Sequence, residues 1–307
     1  MGIFFFFIDG LGVGKPNENN PVFKYSLFSS CLDHHALCDF SSPLIFPGGI
    51  IYQLDARLGV TGIPQSATGQ TALFCGLNAA GLAGRHVSAY PDETLVALLK
   101  KNSILHYFKN AGKKVSCLNL YRKEYRDKII ADNTLILPAS TLMTKYSGTE
   151  ILTVENHFSS GLYMDIDHHV LHVHYPYIPC ADPLEQGRHT AQLVSRHDFS
   201  FFEYFLTDTW AHRRSETAIK KIISCLNFFL EGLTESLALE RHAVIITSDH
   251  GNMEEISINE HTLNPVPLVI ITRNEQYLSA VRTVNPVNIT DVYRLIVCMH
   301  EAENKIA

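Results

Sequence analysis

Residues 3 to 10 read Ile3-Phe4-Phe5-Phe6-Phe7-Ile8-Asp9-Gly10. The run from Ile3 to Ile8 is apolar throughout and has no polar face, which suits a central strand covered on both sides. It stops at a carboxylate and enters the turn Gly10-Leu11-Gly12-Val13-Gly14. The run is short for a signal-peptide core and no basic segment precedes it, so a buried strand is the expected reading.

The same event recurs downstream, in Leu206-Thr207-Asp208 and in Ile246-Thr247-Ser248-Asp249-His250. Open α/β sheets bind ligands at the carboxyl ends of their strands. A mostly parallel sheet therefore brings Asp9, Asp208, Asp249 and His250 to one edge. Strands are expected over 199–208, 243–247 and 268–271, a long amphipathic helix near 214–236 and a closing helix over 289–301. Helical patterns at 71–80, 92–101 and 103–111 precede a strand-like 114–120. Residues 15–60 carry turn signals but no clear elements. The expected organisation is a catalytic α/β core from 1–100 and 196–307, with 101–195 partly core and partly a reduced cap.

Composition narrows the function. Of 307 residues, 46% are hydrophobic and 18% charged, enough for a sizeable core. A net charge of −6 offers no basic field to nucleic acid or to an anionic membrane. No apolar stretch approaches the ~20 residues needed to cross a bilayer. The seven cysteines form no CxxC pair, which suggests reduced thiols and a cytoplasmic protein. Nothing in the sequence sets the oligomeric state.

Sixteen histidines direct attention to metal chemistry. Asp208 and His212 lie four apart, so both face one way if a helix begins there. His261 precedes Thr262-Leu263-Asn264-Pro265-Val266-Pro267, whose prolines exclude helix and hold the backbone extended. Asp9, Asp208, Asp249, His212, His250 and His261 make an oxygen and nitrogen set without thiolate, suited to Zn²⁺ or Mn²⁺, with Mg²⁺ possible. These ligands exceed what one catalytic ion uses. Two ions about 4 Å apart would use them all, an arrangement suited to phosphoryl displacement.

Ser66 supplies a hydroxyl just before a predicted helix, where backbone N–H groups favour phosphate. Thr68 is the rival nucleophile, and Gln70 or Asn78 is a candidate donor to phosphate oxygens. Arg122, Arg126 and Arg188 are weaker candidates for substrate binding, each more simply explained as solvated charge. Neither GxGxxG nor GxxxxGK[ST] occurs, so nucleotide-loop fingerprints are excluded.

Thr247-Ser248-Asp249-His250-Gly251-Asn252, together with His261-Thr262-Leu263-Asn264-Pro265-Val266-Pro267, resembles the alkaline phosphatase superfamily, and within it the cofactor-independent phosphoglycerate mutase and phosphopentomutase branch. Ile8-Asp9-Gly10, Ser66-Ala67-Thr68-Gly69-Gln70 and Asp208 with His212 resemble its remaining motifs, in the same chain order. The resemblance implies a three-layer α/β sandwich with a mostly parallel central sheet. It also implies that Asp9, Ser66, Asp249 and His250 serve one metal, that Asp208, His212 and His261 serve the other, and that Ser66 becomes transiently phosphorylated. Two departures stand out: the branch's large insertion between nucleophile and Asp-xxx-His motif is reduced, and Gln70 stands where its mutases often carry His.

The expected protein is a two-metal phosphoryl-transfer enzyme acting on a small phosphorylated metabolite, with hydrolysis slightly favoured because a small cap retains an intermediate poorly. A phosphomutase and a catalytically idle metal-binding scaffold are the alternatives.

Overall fold

Strand β1 (Gly2–Ile8) is buried along its whole length and alternates between two cores. Ile3, Phe5 and Phe7 pack into one apolar cluster, and Phe4, Phe6 and Ile8 into another on the opposite face of the sheet. This period-two alternation sets three layers, because each face of a strand must be covered by its own helices. Each such phenylalanine removed from water stabilises the fold by roughly 1.5–3 kcal/mol.

The chain is described from residue 2 to residue 304 by a computed structural model. The further strands are β2 (Leu44–Phe46), β3 (Gly49–Leu54), β4 (Val115–Cys117), β5 (Phe199–Tyr204), β6 (His242–Thr247) and β7 (Val266–Ile271). They form one sheet in the order β2-β3-β7-β6-β1-β5-β4. The β6, β1, β5 and β4 neighbours pair in parallel, while β7 runs antiparallel to β6 and to β3, and β2 antiparallel to β3. The sheet is thus α/β and parallel in its middle, with a mixed flank supplied by β2, β3 and β7.

One face carries the helix Ser66–Cys75 and the closing helix Asp291–Asn304; the other carries Pro183–Val194 packed on Glu216–Ser236. At that second contact the backbones nearly touch. A Cβ on Gly232 would stand 2.0 Å from the Leu184 carbonyl oxygen.

Several expectations are corrected. The strand expected over 199–208 ends at Tyr204, since Phe205 takes helical dihedrals and opens the helix Leu206–His212. The helix expected over 71–80 begins at Ser66 and ends at Cys75, where Gly76 adopts φ 66° and breaks it. Only Val115–Cys117 of the 114–120 stretch joins the sheet; Asn119 and Tyr121 form isolated bridges to Leu162 and Thr153. Residues 122–195 are mostly short helices, of which the last, Pro183–Val194, lies in the core layer, within the region expected to be partly core. No described helix is long and apolar enough to cross a membrane.

Candidate metal and phosphoryl-transfer site

Register explains why distant residues meet. Ile8 lies opposite Tyr204, and Phe7 opposite Thr247, so the chain leaves β1, β5 and β6 side by side. Antiparallel β7 starts at that same edge, because its Leu268 pairs with Thr247, and the segment feeding it carries His261. Antiparallel β3 ends there too, with Leu54 beside Val266, and the chain then runs on to Ser66.

Two glycines permit the close approach. Gly10 has φ +68°, and a Cβ there would stand 2.7 Å from Asp208 Oδ1. At Gly69 the added atom would meet the Asp249 carbonyl oxygen at 2.7 Å.

Asp208 and His212 share one face of the helix Leu206–His212, with His212 Nε2 3.4 Å from Asp208 Oδ2. His261 Nε2 lies 3.6 Å from Asp208 Oδ1 and 3.0 Å from His212 Nε2. Both rings donate Nδ1–H to backbone carbonyls, His212 to Asn259 and His261 to Pro64, each at 2.9 Å. A carbonyl only accepts, so in the neutral rings both Nε2 lone pairs are bare and aimed at a common point. They repel unless a proton or cation lies between them.

His250 forms the second half. Its Nε2 is 3.0 Å from Ser66 Oγ, 3.4 Å from Asp9 Oδ1 and 3.4 Å from Asp249 Oδ2, and its ring stacks on His261 at 3.6 Å. Asp9 Oδ1 is buried without a hydrogen-bond partner. Asp208, His212 and His261, and separately Asp9, Asp208 and His250, each offer ligand atoms within 4.8 Å of one another. Asp208 thus stands between the two groups.

The electrostatics are those of a crowded anionic pocket. Burial, reinforced by Asp249 and Asp208, holds Asp9 well above the usual carboxylate range. Burial and the Asp208 charge push Asp249 up to about 7. Burial lowers His250 and His261 to about 4, so both rings are neutral at neutral pH. Although burial opposes ionisation of Asp208, its hydrogen bond to His212, followed by His250, Asn252 and His261, holds it below the usual range. Because His250 and His261 are neutral, the His212 contact is the decisive one. His212 is raised by the same bond. Unpaired buried lone pairs beside carboxylates that resist ionising are the donor set a divalent cation satisfies.

Ser66 opens the helix Ser66–Cys75 and points at His250. The other expected substrate contacts fare differently. Thr68 is fully buried and gives its hydroxyl to the Gln65 carbonyl, so it is no nucleophile. Gln70 donates to Asp9 Oδ2 and Asp249 Oδ2 at 3.2 Å each, binding the carboxylates together and leaving no N–H directed to phosphate. Asn78 caps the helix Ala79–Ala83 and donates to the Leu58 carbonyl. Arg126 pairs with Asp127 and lines a separate hollow with Lys145 and His157, and Arg188 pairs with Glu185 and Glu235 on the outer layer. Of the three arginines only Arg122 reaches the cavity beside Ser66.

Three residues were missed. Asn252 donates to Asp208 Oδ1 at 2.7 Å. Buried Glu254 accepts from the backbone N–H groups of Gly12 and Asn252 at 2.9 and 2.8 Å, and from Asn264 and Thr262. It ties the β1 turn to both later loops. Glu203 lies on the cavity wall, accepts from Ser140 at 2.5 Å, and is pushed up to about 7 by burial. A carboxylate inside the otherwise apolar β5 was the available signal.

Residues 179–297 match the family model described as "Metalloenzyme superfamily". The 2,3-bisphosphoglycerate-independent phosphoglycerate mutase of Ehrlichia canis (strain Jake) is 28% identical over 90 residues, which cover 27% of this chain and 18% of that enzyme. The matched segment is thus under a fifth of that relative's length. Among solved structures, the PH0037 protein of Pyrococcus horikoshii superposes with a TM-score of 0.57 at 12% identity, covering 98% of this chain and 97% of that one. An alkaline phosphatase from the Antarctic bacterium TAB5 superposes with a TM-score of 0.52 at 12% identity over the same shares. Both carry the same fold.

Proposed function

We propose that this chain is a metalloenzyme of the alkaline phosphatase superfamily and that it moves a phosphoryl group from a small phosphate ester to Ser66 and then to water, a reading supported by the metalloenzyme family match and the shared fold. The convergence of Asp208, His212 and His261 beside Asp9, Asp249, His250 and Ser66 carries this reading. Asp208, His212 and His261 would hold one divalent cation, and Asp9, Asp249, His250 and Ser66 the other, with Mn²⁺ or Zn²⁺ best suited to the donors and Mg²⁺ possible. Bound there, the cations supply Lewis acidity that lowers the cost of charge on the attacking and leaving oxygens.

The protein's own groups do the positioning. The start of the helix Ser66–Cys75 presents the hydroxyl and directs backbone N–H groups towards an anion. As Ser66 Oγ bonds to phosphorus its proton leaves, the bond to the alcohol oxygen breaks, and that oxygen takes a proton from solvent. Water then attacks the phosphoserine, the bond to Oγ breaks, Ser66 regains its proton and inorganic phosphate departs. Gln70 keeps Asp9 and Asp249 in place throughout.

Hydrolysis is favoured because, among the described residues, Arg122 is the one Lys or Arg side chain lining the cavity, whereas retaining a doubly anionic intermediate calls for several. A phosphomutase is the second reading, supported by the matched segment of a phosphoglycerate mutase. A cytoplasmic location is part of the proposal, supported by the free thiols.

The test is a panel of phosphate esters with added Mn²⁺ or Zn²⁺, scoring free phosphate and isomerised product in one sample, for wild type and Ser66→Ala. Phosphate release by wild type and a loss of at least a thousandfold in the variant are expected. Full activity of Ser66→Ala contradicts the mechanism, isomer without phosphate favours the mutase, and inactivity with metals bound favours an idle scaffold.

A further inference from the structure

The cavity beside Ser66 has a volume of about 540 Å³, many times what a phosphate group fills. Its walls decide what the remainder accepts. Tyr90, Tyr121, Tyr125 and Tyr163 all line it, drawn from separate parts of the chain. Tyr90 precedes the helix Glu93–Asn102, Tyr121 follows β4, Tyr125 lies on the helix Lys123–Ala131, and Tyr163 follows the bridge residue Leu162.

Packing alone accounts for Tyr163, which is buried in a small apolar cluster of the 120–178 region. Packing accounts for part of Tyr125, which lies against the main apolar cluster, and the Tyr121 hydroxyl is paired with Thr141. Even so, Tyr90 is 50% exposed, and Tyr121 and Tyr125 are only partly buried, with ring centroids 5.8 Å apart at 36°. Three neighbouring aromatic side chains left accessible around a deep cavity are a stacking surface in search of a ring. Burial raises both Tyr121 and Tyr125, so these two keep their hydroxyl protons.

Charge restricts the occupant further. With Asp9 and Asp208 taken up as metal ligands, the carboxyl and guanidinium groups left on the cavity wall, among the described residues, are Glu203 and Arg122. A second phosphate or a carboxylate on the leaving group would have to be desolvated with that one guanidinium as its ionic partner. A neutral leaving group does not incur that cost.

Resting on the phosphoryl-transfer reading above, we infer that this site takes phosphomonoesters whose neutral leaving group carries a planar unsaturated ring, held against Tyr90, Tyr121 and Tyr125. Nucleoside 5′-monophosphates and simple aryl phosphates share that chemistry.

The experiment compares kcat/KM for adenosine 5′-monophosphate, phenyl phosphate, ribose 5-phosphate and glycerol 3-phosphate on the metal-loaded protein, for wild type, Tyr90→Ala and Tyr90→Phe. Tyr90 is exposed in a loop, so its replacement leaves the fold intact. Stacking on an aromatic side chain has a size that makes at least one ring ester about tenfold better than both aliphatic ones. Tyr90→Ala is expected to cut that preference about fivefold while glycerol 3-phosphate stays within twofold, and Tyr90→Phe to retain it. The better of the two ring esters identifies the nucleotide or the aryl source. Equal turnover of ring and aliphatic esters, or a uniform loss in Tyr90→Ala, overturns the inference. If no ester is turned over, phosphoryl transfer itself fails, and calorimetry with adenosine against ribose decides the ring question alone. Saturable adenosine binding weakened in Tyr90→Ala supports it; no binding overturns it.

Discussion

Gly69 lies so close to Asp249 that a Cβ on the glycine would stand 2.7 Å from the Asp249 carbonyl oxygen and 2.8 Å from its Cβ. The helix that presents Ser66 and the loop that presents Asp249 can therefore lie this close only because Gly69 lacks a side chain. Gly69→Ala must displace one of them, because backbone cannot swing aside as a flexible side chain can. Forcing extra volume into a packed site costs about 1–3 kcal/mol. A lower Tm of that size and a loss of phosphoryl transfer of at least tenfold are expected together. Unchanged kinetics would show that the helix and loop need no fixed spacing.

Glu254 organises the turn after β1. Its carboxyl accepts from the Gly12 and Asn252 N–H groups and from Thr262 at buried sites, and from half-buried Asn264. Glu254→Ala leaves at least two backbone donors without partners, at about 1–3 kcal/mol each. Thermal unfolding should show a loss of roughly 2–6 kcal/mol, with Glu254→Gln nearer wild type. A stable Glu254→Ala protein would remove the residue from this role.

Metal affinity should depend on pH in a defined direction. In the metal-free protein Asp249, pushed up to about 7 by burial and by Asp208, takes up a proton as pH falls through neutrality. Asp9, raised by burial and its carboxylate neighbours, and His212, raised by its bond to Asp208, hold protons more readily than free groups do. A cation must displace these protons, so affinity falls as pH drops through 7. His250 and His261, lowered to about 4, add no competing protons until far lower pH. Calorimetry with Mn²⁺ is expected to show at least tenfold weaker binding at pH 6 than at pH 8, with proton release. Flat affinity across that range contradicts the assignment.

His212 is the most exposed member of its group, and its Nδ1 is anchored only to the Asn259 carbonyl. Removing it leaves Asp208 and His261 as protein ligands on that side. His212→Ala is expected to bind one cation at near wild-type affinity and the other at least tenfold more weakly. Loss of both sites, or of neither, would show that the two groups are not divided as proposed.

Much of the fold was legible because its signal is local. The apolar run ending at Asp9 could only be a buried strand, and Asp249-His250 follows β6 as its apolar pattern implies. Asp208 was legible by type but not by setting. Phe205 is apolar and continues the strand pattern, yet its dihedrals already belong to a helix, a choice made by the chain's exit over the sheet edge. Gln70 was misjudged because helix register, invisible without the Asp9 and Asp249 carboxylates beside it, turns its amide to them. Glu254 was silent because its partners are mostly backbone N–H groups and side chains of loops, which leave no periodic trace. The tyrosine wall escaped for the same reason: residues 90, 121, 125 and 163 share no spacing, and only the tertiary fold gathers them.

The most direct test is anomalous diffraction from a crystal soaked with Mn²⁺, phased on the protein. Two peaks are expected, one within bonding distance of Asp208, His212 and His261 and the other of Asp9, Asp249 and His250, with Ser66 Oγ beside the latter. No peak at either place in well-ordered density, or those side chains pointing away from one another, would contradict the site.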